Sequence, residues 1–194
     1  MKHRYVFSLL FLCGALSACE SSRDEPTTIQ PVEHHGSYLH AASGMAFPTD
    51  VGPFQRRNIY PQGGDELDVS YGSVSSIGPI LITITIAPTP DQDNACRTEF
   101  ENRKQEIVAA NAGGRWVDEG NLFLAAGGAN YGGWMTSVDL MLGRAPVRGY
   151  VYVFCAKDWL LAYRITGPRG EPAAQLIEDF LAAMPAAPLQ SARR

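Results

Sequence analysis

Ile80, Ile82, Ile84 and Ile86 alternate with Leu81, Thr83 and Thr85. Side chains repeat every two residues along a strand and every 3.6 along a helix, so this run has one apolar and one more polar face only as a strand. A strand of that kind needs neighbours to complete the apolar face and a second layer to cover it. Two partners precede it, over 54–60 and 67–71, joined by the turn Pro61-Gln62-Gly63-Gly64.

After Pro88 and Pro90 the period changes. A helix is predicted over 93–111, with Asp91 or Asp93 at its start and Cys96, Phe100, Ile107 and Ala110 on one stripe. Gly113-Gly114 ends it. Four further strands are predicted over 115–124, 134–142, 147–156 and 159–166, linked by hairpin-length connections. A second helix carries Ala173, Leu176, Ile177, Phe180, Leu181 and Met184 at helical spacing, and Pro185 and Pro188 close it. The order is βββ-α-ββββ-α, which predicts an α+β domain over 43–186: an antiparallel sheet of six to seven strands with two helices, then a loose tail over 187–194. In element order the domain resembles the PsbP-like family of small lumenal and periplasmic accessory proteins. That resemblance implies the α+β fold and transfers no functional residue.

The amino terminus has the layout of a secretory signal. Lys2 and Arg4 precede an apolar run, Val6 to Leu12, which is followed by Gly14, Ala15, Ser17 and Ala18. The run is well short of the roughly 20 residues that span a bilayer. Leu16-Ser17-Ala18-Cys19 resembles the lipobox of bacterial lipoproteins. The resemblance implies that residues 1–18 are removed, that Cys13 goes with them, and that Cys19 becomes a lipidated first residue. Several acyl chains make such an anchor stable. With Glu20 rather than Asp after the cysteine, the outer membrane is favoured over the inner, and the protein faces the periplasm of the cell envelope. Residues 19–42 are polar, contain prolines and lack an apolar period, so they read as a flexible tether.

The processed chain has 194 − 18 = 176 residues, a size that suits one domain and a tether. Removing Lys2 and Arg4 leaves 16 − 2 = 14 basic residues against 20 acidic, a net charge of −6. That balance argues against a nucleic-acid partner. Cys96 and Cys155 are then the remaining thiols in an oxidising compartment, and a disulfide between them is predicted. Cys96 shares the helix stripe with Phe100, and Cys155 a strand face with Val151 and Val153. The alternative is two separately buried thiols.

All four histidines, His3, His34, His35 and His40, precede the domain. Nucleophilic catalysis by Ser or Cys usually needs a histidine nearby, so no catalytic residue is assigned. Glu33, His34, His35 and His40 have ligand chemistry but lie in the tether, which lacks the fixed geometry a metal needs, and no metal or cofactor is predicted. Two carboxylate groupings, Asp65, Glu66 and Asp68, and Asp118 with Glu119, leave open an envelope hydrolase working through paired carboxylates. The glycine-rich stretch AAGGANYGGW reads as a loose hairpin tip; Tyr131 and Trp134 flank it and Trp116 starts a nearby strand, and the three are candidate partner-binding anchors, with core packing as the alternative. Arg56, Arg57, Arg144 and Arg148 offer donors to anionic groups, or simply solvated strand faces. The expectation is a lipid-anchored, non-enzymatic binding or accessory module whose partner is an envelope protein or a cell-wall component.

Overall fold

The computed structural model describes residues 29–91, 94–110, 113–126, 129–155 and 158–184. The lipobox with Cys19 and the predicted tail lie outside them.

Three short strands come first: β1 (Tyr38–Leu39), β2 (Ala46–Phe47) and β3 (Asp50–Val51). They precede β4 (Phe54–Gly63), β5 (Glu66–Ser75) and β6 (Gly78–Pro88). Helix α1 (Ala95–Ala110) follows, then β7 (Arg115–Ala126), β8 (Ala129–Leu142), β9 (Ala145–Cys155), β10 (Trp159–Pro168) and α2 (Glu171–Ala183). The fold is α+β with two helices, as expected. Its main sheet has eight antiparallel strands in the order β3-β4-β5-β6-β10-β9-β8-β7, and β1 and β2 form a separate pair. The predicted six to seven strands fall short because β3 is two residues long, too short to show a period.

The isoleucine run sits at the centre. Ile82 pairs with Tyr71 on one side and Ile165 on the other, and Ile84 with Val69 and Tyr163. Alternation then sorts the sheet into two faces. On one, the isoleucines, Tyr71, Phe154, Tyr163 and Ile165 lie beneath Ile177, Phe180 and Leu181 of α2 and beneath Met45 and Phe47. The Phe180 ring stands 4.9 Å from that of Phe54 and 5.2 Å from that of Tyr71, in edge geometry. On the other face, Phe100 and Ile107 of α1 cover Val138, Leu140, Val151, Val153 and Leu160. The helices therefore take opposite faces of one sheet.

Helix α1 is only weakly amphipathic, and ion pairs along its surface, Arg97 with Glu101 and Arg103 with Glu99, add to the little apolar area it buries. Asn94, with φ 62°, turns the chain into it, and Gly113, with φ 97°, follows it. Asp93, one of the two predicted caps, lies outside the described residues.

Part of the predicted tether is folded. The amide of Val32 donates to the carbonyl of Ile59 at 2.8 Å, and Arg56 Nη2 donates to the carbonyls of His34 and Gly36 at 2.9 and 2.7 Å. His40 is buried, with its Nδ1 2.8 Å from Ser43 Oγ and its ring edge-on to Trp159. The tether expected over 19–42 thus gives way to docked chain at Val32. A guanidinium on β4 collects main-chain carbonyls there, an interaction that leaves no apolar pattern in the docked segment.

Candidate functional site

β7 is the last strand of the sheet, and among the described residues nothing pairs with its outer side. A strand in that position presents a row of free amides and carbonyls. Its first half is guarded by a register shift between Trp116 and Asp118 and by the charges of Arg115, Asp118 and Glu119. From Gly120 to Ala126 the ladder to β8 runs without a further shift and the charges cease.

Beside that second half is an open groove of about 380 Å³, lined by Asn121, Leu122, Phe123, Gly132, Gly133, Trp134 and the disulfide of Cys96 and Cys155. Phe123 is 76% exposed, an unusual state for a phenyl ring. Trp134 is half-buried against the α1 side of the sheet and forms a wall.

Two glycines make the floor. A Cβ on Gly132 would lie 3.8 Å from Phe123 Cε1, so the ring rests beside bare backbone. At Gly133 a Cβ would fall 2.4 Å from the carbonyl oxygen of Val153 and 2.7 Å from Phe154 Cδ1, and only glycine fits. The glycine-rich stretch predicted as a loose tip is therefore largely strand, paired from Ala126 and Ala129 onward, with residues 127–128 outside the described set.

The predicted disulfide is present, with the two Cα atoms 5.8 Å apart across 59 residues of sequence. It ties the first turn of α1 to the end of β9, and both of its residues line the groove. Among the described residues the lining offers aromatic, aliphatic and sulfur surface with one carboxamide, Asn121, and no titratable side chain.

The three aromatic candidates separate. Trp134 lines the groove, while Tyr131 points through the sheet into the core beneath α2 and is 8% exposed. Odd and even positions of β8 face opposite ways, so residues three apart cannot share a face. Trp116 is 40% exposed at the other end of β7, with Lys104 Nζ 5.5 Å from its ring centre. Phe123, the most exposed aromatic in the groove, goes unnoticed in the sequence because Leu122 and Leu124 beside it make it read as buried.

Three carboxylates, Asp68, Glu119 and Asp139, are engaged, while Asp65 and Asp118 are exposed and Glu66 is half-buried. Asp68 accepts hydrogen bonds from Gln62 Nε2 and Thr85 Oγ1. Lys104 bonds Glu119 at 2.6 Å and holds its pKa below the usual range, with Arg97 adding to the effect. Asp139 is buried and is lowered in the same way, first by Arg148. A general acid needs the opposite shift. Of the histidines, His34 bonds the Ser37 carbonyl and His40 faces Ser43 and Trp159.

No protein-family model matches the chain, and no curated protein matches it either.

Proposed function

We propose that the protein is a lipid-anchored accessory protein of a bacterial cell envelope, held to the membrane through Cys19, whose domain binds an extended segment of another envelope protein along β7. The observation that carries this reading is the pairing of a free strand edge with an apolar groove at Phe123 and Trp134. An incoming strand would take its main-chain hydrogen bonds from β7 and seat alternate side chains in the groove, the mode by which sheets recognise extended peptides. The free edge of β7 beside the groove favours a protein segment, which can add main-chain hydrogen bonds to a strand, over a cell-wall glycan, which cannot continue the ladder. The lipobox resemblance supports the location, and the element order keeps a PsbP-like accessory role within the proposal.

The test is photocrosslinking in intact cells, with a photoreactive phenylalanine analogue replacing Phe123 and, as a control, Glu178 on α2. The expected result is one protein adduct at position 123 that is absent at 178 and lost when Trp134→Ala opens the groove wall. Equal labelling at both positions, or no adduct at 123, contradicts the proposal.

A further inference from the structure

The start of β7 and the β8–β9 hairpin meet at one corner of the sheet, at the opposite end of β7 from the groove. Four apolar residues stand exposed there: Trp116 and Val117 at 40%, Met141 at 56% and Leu142 at 59%. The register gathers them, since Trp116 lies opposite Val138, and Met141 and Leu142 close the hairpin against Pro146 and Ala145.

Four arginines accompany these residues. Arg144 occupies the hairpin turn and is exposed. The other three converge on Asp139: Arg148 Nε donates to Oδ1 at 2.8 Å and Arg115 Nη2 to Oδ2 at 3.1 Å, while Arg169 Nε lies 3.4 Å from Oδ1. Three cations thus share one carboxylate. With Arg144 the corner carries four positive charges against two negative, Asp139 and the exposed Asp118 next to Val117, on a protein whose processed chain is net negative. Arg169 also reaches the carbonyls of Val147 and Leu140. The side chain of Arg115 is 79% exposed, which turns most of its donors outward.

Exposed apolar side chains beside an excess of guanidinium over carboxylate groups match the boundary between anionic headgroups and acyl chains. Trp is enriched at that depth, and basic side chains near an anionic surface add attraction that decays within a Debye length. We infer that this corner docks the domain on an anionic phospholipid surface, with Met141 and Leu142 at the acyl boundary and the arginines against lipid phosphates. The chain allows it, because the 32 − 19 = 13 residues between Cys19 and Val32 reach up to about 45 Å when extended. The groove would then face away from the membrane, since Phe123 lies seven residues along β7 from Trp116, roughly 23 Å. The inference does not depend on the partner-binding reading.

The experiment is cosedimentation of the processed chain, residues 19–194 with Cys19→Ser so that no acyl chain contributes, with two kinds of vesicle: phosphatidylcholine alone, and phosphatidylcholine containing phosphatidylglycerol. The expected result is binding to the anionic vesicles only, weakened by salt. Arg115→Gln with Arg144→Gln should reduce it roughly 25-fold, at about fivefold per charge. Met141→Ser with Leu142→Ser should reduce it as well. Arg144→Gln alone leaves the three arginines of Asp139 in place, so the test stands even if the Arg115 variant is unstable. A chain that stays in the supernatant, binds both vesicles equally, or binds unchanged after these substitutions overturns the inference.

Discussion

Cys96, in the first turn of α1, is bonded to Cys155, the last residue of β9, and the pair lines the groove in which Phe123 and Trp134 stand. The bond holds a weakly amphipathic helix over the far half of the sheet and shapes the candidate site. Closing a separation of 59 residues lowers the entropy of the unfolded chain by an amount equivalent to about 4 kcal/mol. For a domain of this size that corresponds to roughly 10 °C in melting temperature. Cys96→Ala with Cys155→Ala, or reduction of the parent, should lower the thermal midpoint by about that much. An unchanged midpoint on reduction would show that α1 is held without the bond.

Asp139 is the one carboxylate shared by Arg115, Arg148 and Arg169, and it joins β7, β8, β9 and the β10–α2 connection. Asp139→Asn removes the charge and leaves three guanidinium groups together, at a cost of about 2 kcal/mol for charge-assisted hydrogen bonds. The folded pKa of Asp139 lies below its ordinary value, so its stabilising effect is present above the usual carboxylate range and is lost as pH falls through the folded pKa. Urea unfolding at neutral pH should show the loss. A series toward acid should show the variant losing less stability than the parent.

Gly133 and Gly120 offer a paired comparison on neighbouring strands. Gly133→Ala drives a Cβ into the Val153 carbonyl and the Phe154 ring, and should cost about 2 to 3 kcal/mol as an overpacked site. Gly120→Ala meets nothing within 4 Å and should stay within about 0.5 kcal/mol of the parent. Denaturant midpoints for the two variants check both values. Similar effects at both sites would mean that the β8–β9 contact is looser than described.

His40 makes the docking of the amino-terminal segment sensitive to pH. Burial lowers its pKa from the ordinary histidine value, with Asp65 opposing the shift. A depressed folded pKa means that the unfolded chain binds the proton more readily, so stability is complete above about pH 6.5 and falls as pH drops below it. Protection of the amides of residues 38–47, taken relative to the intrinsic exchange rate at each pH, should fall between neutral pH and pH 5. His40→Asn, which cannot take up a proton there, should remove the pH dependence.

Much of the architecture is legible because packing leaves periodic marks. β6 announces itself by strict alternation of residue type, and α2 by Ala173, Ile177, Phe180 and Leu181, since each puts its large apolar side chains on one face. Gly133 shows where those marks fail. The glycines of AAGGANYGG read as a loose tip, yet glycine is required there by a neighbouring strand backbone, which the local sequence does not encode. The docking of residues 32–43 is invisible for a related reason, since its donor is Arg56 on β4 and its acceptors are carbonyls, which every residue has. The disulfide is legible through elimination, with Cys13 and Cys19 assigned to the signal and the anchor. The three aromatics are not, because facing depends on the register of β8, and one residue of uncertainty exchanges Tyr131 and Trp134 between core and surface.

The most direct measurement of the proposed function is hydrogen exchange along β7 with and without the partner captured at Phe123. Every second amide between Gly120 and Ala126 points away from β8 and should exchange freely in the isolated protein. Strand addition should slow those amides strongly while leaving α2 unchanged. If the bound partner leaves the outward amides of β7 exchanging as fast as before, the segment does not pair with this edge, and binding by strand addition is wrong.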